Sequence, residues 1–270
     1  MNGSSLFGKA HIRIRRHRIH LGALSVSAAV GLFSLSAEPA RAVESMEQTI
    51  ERYSQYILAI WKLDPQLSQV PPPQIISSIS ANTKVFGGCA AVISDHLRFE
   101  VGGTSYCPAT NTIFVVVDQL RPFYEAYGPA AIGYALAHEY GHYIQAKFQI
   151  QSDTVHLELQ ADCLAGSILG QNPEATGVRQ PEIPLIAQTA YKLGSASHGT
   201  GDQRAFAVYT GLGQSGELTC KLEDMVKLAK NQVKDPRFGS IDSLRSGNGR
   251  GVSFAAKGPY LRGVSASLGL

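Results

Sequence analysis

The chain has 270 residues, 44% of them hydrophobic and 17% charged, enough apolar content to bury a core in one domain and too much for a wholly disordered or fibrous chain. Its formal net charge is +3, but six basic side chains (Lys9, Arg13, Arg15, Arg16, Arg18, Arg41) and one acid, Glu38, fall within residues 1–42. Without that segment 18 basic and 20 acidic residues remain, a net charge of −2, which excludes a general nucleic-acid-binding role, because counterion release needs a basic face.

Residues 1–42 read as a secretory signal peptide: a cationic stretch Arg13-Ile14-Arg15-Arg16-His17-Arg18, an apolar run from Leu21 to Leu35, and Ala40-Arg41-Ala42 as an A-x-A cleavage site. The apolar run falls short of the roughly 20 residues that a spanning helix needs, so cleavage is favoured over retention as a membrane anchor. Arg15-Arg16 also admits twin-arginine export. The leader engages the export machinery on this reading, and the mature chain is periplasmic or extracellular.

Val43 to Lys62 is helical in pattern, with Met46, Ile50, Tyr53, Ile57 and Ile60 or Trp61 recurring at three- and four-residue spacing. Pro65 and Pro71-Pro72-Pro73 end it. Val85 to Val92 and Thr112 to Val117 read as strands, with Cys107-Pro108-Ala109-Thr110-Asn111 a turn between or beside them. Pro129 to Phe148, Thr154 to Leu169, Pro181 to Leu193 and Asp202 to Gly213 then read as helices, followed by a short helix to about Val233. Ser152, Asp153 and Thr154 are candidate N-caps for the second of these. The fold class is α+β: a small β region, then a mainly helical domain over residues 43–236. Residues 237–270 form a Gly/Ser/Arg-rich stretch too poor in apolar surface to order itself.

Four cysteines in an exported chain suggest two disulfides, and Cys89–Cys107 with Cys163–Cys220 is the favoured pairing of three. No C-x-x-C spacing assigns them to zinc.

The chemistry centres on His138-Glu139-Tyr140-Gly141-His142. On a helix, His138 and His142 at i and i+4 share a face, so two imidazoles can take adjacent vertices of a tetrahedral zinc site. Glu139 points about 100° round the helix, where a carboxylate can take a proton from a zinc-activated water and pass it on. Small residues at Ala130, Ala131, Gly133, Ala135 and Ala137, with Gly141 between the histidines, permit close packing of a second helix. The longer motif H-E-x-x-H-x-x-G-x-x-H is excluded, because Gln145 and Phe148 stand where its glycine and third histidine belong. A catalytic zinc needs one more protein ligand and one open position. Glu158, in His156-Leu157-Glu158-Leu159-Gln160-Ala161-Asp162-Cys163, is favoured over Asp162 or His156. Glu158 and Asp162 share a helical face, leaving Asp162 to accept the distal N–H of a zinc histidine.

Ala137-His138-Glu139-Tyr140-Gly141-His142 followed by Glu158-Leu159-Gln160-Ala161-Asp162-Cys163 resembles the bacterial neutral zinc metallopeptidases. Tyr106-Cys107-Pro108 before a strand ending at Asp118, Ser197-His198-Gly199-Thr200 with Gln203-Arg204, and Gly211 to Cys220 are similar to further segments of that family. The resemblance runs from about Cys89 to Cys220. It implies zinc, peptide hydrolysis and a gluzincin-like arrangement in which the HExxH helix packs on the helix bearing the glutamate. His198 is a candidate catalytic donor to the oxyanion, or else a loop-stabilising residue, and Tyr140, Tyr143 and Tyr191 are other candidate donors. The expected activity is hydrolysis of peptide or protein substrates with Glu139 as general base. The alternative is a non-catalytic, zinc-stabilised binding or scaffold protein of the envelope, which requires a fourth protein ligand. The strand Thr112 to Val117 is expected to offer an edge to an extended peptide.

Overall fold

The computed structural model describes residues 44–80, 84–86, 98–100, 103–170, 178, 182–215 and 218–240. The expected signal peptide, Cys89 and the chain beyond residue 240 lie outside the described residues. The fold is α+β, mainly helical with one three-stranded sheet.

Ser45 opens helix α1 (Met46–Leu63) through a reciprocal cap. Its hydroxyl accepts the Gln48 N–H, and the Gln48 side chain accepts the Ser45 N–H. The expected apolar spacing puts Ile50, Tyr53, Ile57, Ile60 and Trp61 on the buried face. Trp61 meets Tyr140 and Tyr143 edge-on, with ring centres 5.8 and 5.1 Å apart. These contacts seat α1 against the helix that carries the histidines.

The strands are β1 (Gln74–Ile79), β2 (Lys84–Phe86), β3 (Arg98–Glu100), β4 (Ser105–Cys107) and β5 (Thr112–Val116). β2 and β3 form an antiparallel pair of their own, and the other three make a sheet in the order β1-β5-β4. β1 runs parallel to β5 with Gln74 opposite Thr112, and β4 runs antiparallel to it with Cys107 opposite Thr112. The placement of β5 corrects the sequence reading: the strand is central and both its edges are taken. Its composition explains why, since all five residues are buried, and an apolar run buried on both faces marks an interior strand. The edge facing the histidine helix belongs to β4.

The helices continue as α2 (Val117–Tyr127), α3 (Pro129–Lys147), α4 (Thr154–Gly170), α5 (Ile183–Lys192), α6 (Gly201–Gly211), α7 (Leu222–Ala229) and α8 (Pro236–Ser240). Proline at the first position of α3 costs nothing, because that N–H has no intrahelical partner in any case. Asp153 is the backbone cap of α4; its carbonyl accepts from His156 and Leu157 at 3.0 and 3.2 Å. Every residue of α4 from Glu158 to Gly170 is buried, because α3, α6 and α7 all pack against it.

Two glycines set how close these helices come. A Cβ on Gly141 would lie 2.8 Å from the Ala161 Cα, so α3 and α4 meet backbone to backbone at the histidines, as the small residues there imply. A Cβ on Gly211 would lie 1.8 Å from the Cys163 carbonyl oxygen, which pins α6 against α4. Gly211→Ala must push those helices apart, and a loss of about 2–3 kcal/mol in stability is expected by urea denaturation.

Cys163 and Cys220 are disulfide-bonded across 57 residues, as expected, and fasten α4 to the segment before α7. Cys107 is also disulfide-bonded; its expected partner, Cys89, lies outside the described residues. Disulfides point to an oxidising, non-cytoplasmic setting. No described helix is long and apolar enough to cross a membrane. α8 runs across the expected boundary at residue 237, and its Phe238 packs edge-on against Phe206 of α6 with ring centres 5.3 Å apart.

Candidate metal centre

α3 and α4 bring His138, His142 and Glu158 together. The two Nε2 atoms are 3.1 Å apart, His138 Nε2 is 3.2 Å from Glu158 Oε2, and His142 Nε2 is 3.5 Å from Glu158 Oε1. His138 and Glu158 are buried and His142 is partly buried. The three form one cluster that could hold a metal ion. Glu158 is the carboxylate that joins the histidines, rather than Asp162 or His156. His156 faces away and pairs with Ser152 Oγ at 3.0 Å.

Both histidines are fixed from behind. Asp162 Oδ1 lies 2.8 Å from His138 Nδ1, so the ring donates there and turns Nε2 toward His142 and Glu158. Asp162 also accepts from the Tyr134 hydroxyl at 2.6 Å and from Arg204 through Nη2 on Oδ1 and Nε on Oδ2, at 2.9 and 2.8 Å. Asp162 is fully buried and Arg204 nearly so, which makes this a fully bonded internal ion pair. On the other side, His142 Nδ1 is 2.9 Å from Gln145 Oε1. Gln145 donates from Nε2 to the Leu157 carbonyl and to Gln160 Oε1, and Gln160 donates to the Cys220 carbonyl at 3.0 Å. Gln145 and Arg204 are named in the sequence reading, which gives neither a role beside the histidines. The signal for Gln145 was its place three residues after His142, one turn along the same face. For Arg204 no spacing rule exists, because it arrives from a third helix.

The electrostatics of the cluster are compatible with a cation. Burial by itself lowers the His138 pKa, but the Asp162 carboxylate outweighs it and the ring is pushed up to about 10. Burial raises Glu158, yet hydrogen bonds from the two histidines carry it far below the usual carboxylate range. Glu158 Oε2 is buried, and its near polar neighbour is His138 Nε2 at 3.2 Å, a contact without good hydrogen-bond geometry. A metal ion there would replace the shared proton and satisfy that oxygen. The donor set fits one.

Glu139 stands beside the cluster and outside it. Its Oε2 accepts the Tyr106 backbone N–H of β4 at 2.8 Å. Burial raises its pKa, with the two histidines and the Tyr106 N–H pulling partly the other way. His198 sits on the loop Ser195–Gly199, whose ends are bridged backbone to backbone. Its Nδ1 is held by Ser195 and Ser197 hydroxyls at 2.9 and 2.8 Å, which leaves Nε2 at 3.9 Å from Glu158 Oε1. Of the other candidate donors, Tyr143 gives its hydroxyl proton to the Pro71 carbonyl, and Tyr140 is buried against Trp61. Neither these two nor Tyr191 lines the cavity that opens beside His138; Tyr134 does.

No known family profile and no solved structure matches the chain. It is similar to the uncharacterized protein YpfJ of Escherichia coli (strain K12), 29% identical across 38% of this chain and 47% of that protein. It is also similar to the uncharacterized protein Rv2575 of Mycobacterium tuberculosis (strain ATCC 25618 / H37Rv), 32% identical across 40% of this chain and 43% of that protein. The chain thus spans just under half the length of the curated relatives it matches.

Proposed function

We propose that the chain is a zinc-dependent peptidase in which His138, His142 and Glu158 hold the ion and Glu139 is the general base. One observation carries the reading. Two imidazole nitrogens and a buried carboxylate converge with spacings of 3.1–3.5 Å, and a second carboxylate, that of Glu139, lies alongside without joining them. A tetrahedral ion about 2.0–2.1 Å from its ligands sets them roughly 3.3 Å apart, and nitrogen with carboxylate donors suits zinc. Among the described residues the cluster has three donors, in keeping with a site that keeps one position open for catalysis. The arrangement also agrees with the resemblance to bacterial neutral zinc metallopeptidases.

When bound, zinc supplies Lewis acidity, making water a stronger acid and a carbonyl a better electrophile. The chain's own groups do the rest. Glu139, held by the Tyr106 N–H and raised by burial, takes the proton from the attacking water as its oxygen bonds to the carbonyl carbon. It then gives that proton to the nitrogen as the C–N bond breaks. On this reading His198, with Nδ1 anchored to two serines, donates from Nε2 to the carbonyl oxygen as negative charge develops there.

The test is metal analysis and peptide-library cleavage with the full chain. One zinc per chain and cleavage that a chelator abolishes are expected. Zinc at a thousand times its dissociation constant should raise stability by about 4 kcal/mol, read as a shift of the thermal midpoint. Glu158→Ala should erase that shift. Stoichiometric zinc with no cleavage of any peptide would turn the reading to a zinc-stabilised binding protein.

A further inference from the structure

The ring of His142 is turned by a chain of side-chain amides that ends on a disulfide. His142 Nδ1 lies 2.9 Å from Gln145 Oε1. Gln145 Nε2 donates to the Leu157 carbonyl at 2.7 Å and to Gln160 Oε1 at 3.1 Å, and Gln160 Nε2 donates to the Cys220 carbonyl at 3.0 Å. The polarity of this chain is forced from its far end. A backbone carbonyl only accepts, so Gln160 must turn its amide nitrogen to Cys220 and its oxygen to Gln145. Gln145, with that oxygen and the Leu157 carbonyl on one side, must turn its own oxygen to His142. The ring then donates from Nδ1, and Nε2 keeps the lone pair that a metal ion needs.

The far end is held covalently. Cys220 carries both the carbonyl that Gln160 meets and the sulfur bonded to Cys163, with the two Cα atoms 5.4 Å apart. Cys163 stands three residues after Gln160, on the same face of α4. The disulfide thus clamps the accepting carbonyl one helical turn from the amide it orients. His138 is set differently. Its Nδ1 meets Asp162, whose other partners are Tyr134 and Arg204, and these bonds do not pass through Cys220. Both cysteines are buried, so an exchange partner reaches them before the fold closes.

We propose that closing the Cys163–Cys220 bond switches the cluster of His138, His142 and Glu158 from weak to tight zinc binding, by fixing the His142 tautomer through Gln160 and Gln145. The closing step is an exchange with a disulfide-bearing oxidant. An S–S bond forms between Cys163 and Cys220, the oxidant's S–S bond breaks, and two electrons and two protons leave with it as a pair of thiols. The chain then gains its full metal affinity only where it has been oxidised. The switch rests on the metal reading above and needs no peptidase activity.

The test compares the full wild-type chain with Cys163→Ala/Cys220→Ala, which leaves no thiolate to bind zinc in its own right. By competition titration the variant should bind zinc about 10–100-fold more weakly. In metal-free protein carrying isotope-labelled histidine, neutral His142 should hold its proton on Nδ1 in the wild type and divide it between the two nitrogens in the variant, while the His138 signals stay in place. Gln160→Leu, which keeps the disulfide, should move the His142 tautomer and the zinc affinity in the same direction, and it decides the matter if the cysteine variant does not fold. Unchanged zinc affinity in either folded variant, an unmoved His142 tautomer, or equal changes at His138 and His142 would each overturn the proposal. A wild-type chain that binds no zinc would overturn the metal reading and the switch with it.

Discussion

Glu139→Gln is expected to keep one zinc per chain and lower kcat by about 10²–10⁴, or about 3–5 kcal/mol in barrier height. Glutamine has the same shape, and its side-chain oxygen can still accept the Tyr106 N–H that positions Glu139. It cannot take a proton from water. The variant thus separates proton transfer from architecture, and the measurement is steady-state cleavage of the best library peptide alongside metal analysis. Wild-type rates with zinc in place would remove Glu139 from the mechanism. Loss of zinc would show that the carboxylate belongs to the metal shell, against its position outside the cluster.

Asp162→Asn is expected to have the largest effect on stability. Removing one partner of a buried, hydrogen-bonded ion pair leaves the other charge without compensation and costs about 3–5 kcal/mol. Arg204 is 3% exposed and would keep only neutral acceptors: the Leu193 carbonyl, the Tyr134 hydroxyl and the one amide oxygen left at position 162. The same change withdraws the charged acceptor from His138 Nδ1, and loss of such a partner lowers metal affinity about 10–100-fold. Denaturant midpoints of the metal-free protein and competition titrations with zinc read the two effects separately. Asp162→Asn combined with Arg204→Met should regain much of the stability and little of the affinity. The pH dependence has a definite sign. Burial raises the Asp162 pKa, but Arg204 and His138 outweigh it and the net shift is downward. Its contribution is therefore complete above the ordinary carboxylate value of about 3.9 and is lost as pH falls through the lower folded value. The acid limb of stability should be shallower in the variant.

The centre was legible in the sequence because helices carry fixed offsets. His138 to His142 and Glu158 to Asp162 are both i, i+4 pairs, so once two helices are read, two faces are known. Gly141 added the hint that the faces meet closely. What could not be read depends on contacts between distant segments. β4 is three residues long and exists because it pairs with β5. α2 escaped notice because Pro122 lies inside it, and proline ordinarily argues against a helix interior. Yet β4 holds Glu139, and α2 supplies Leu120 and Phe123 to the cavity that opens beside His138. Arg204 reaches Asp162 across 42 residues of sequence, and no periodicity links them.

The Cys163–Cys220 crosslink bears on how the molecule comes apart. Tying together residues 57 apart removes about 4 kcal/mol worth of disorder from the unfolded chain. One end of the bond adjoins Asp162, behind His138; at the other end the Cys220 carbonyl anchors Gln160 and, through Gln145, His142. Crosslink and metal cluster thus brace the same helix from its two sides. Amide hydrogen exchange should therefore be fast at the periphery, in α8, and slowest around the histidine–glutamate cluster, whose geometry is expected to be lost late in unfolding.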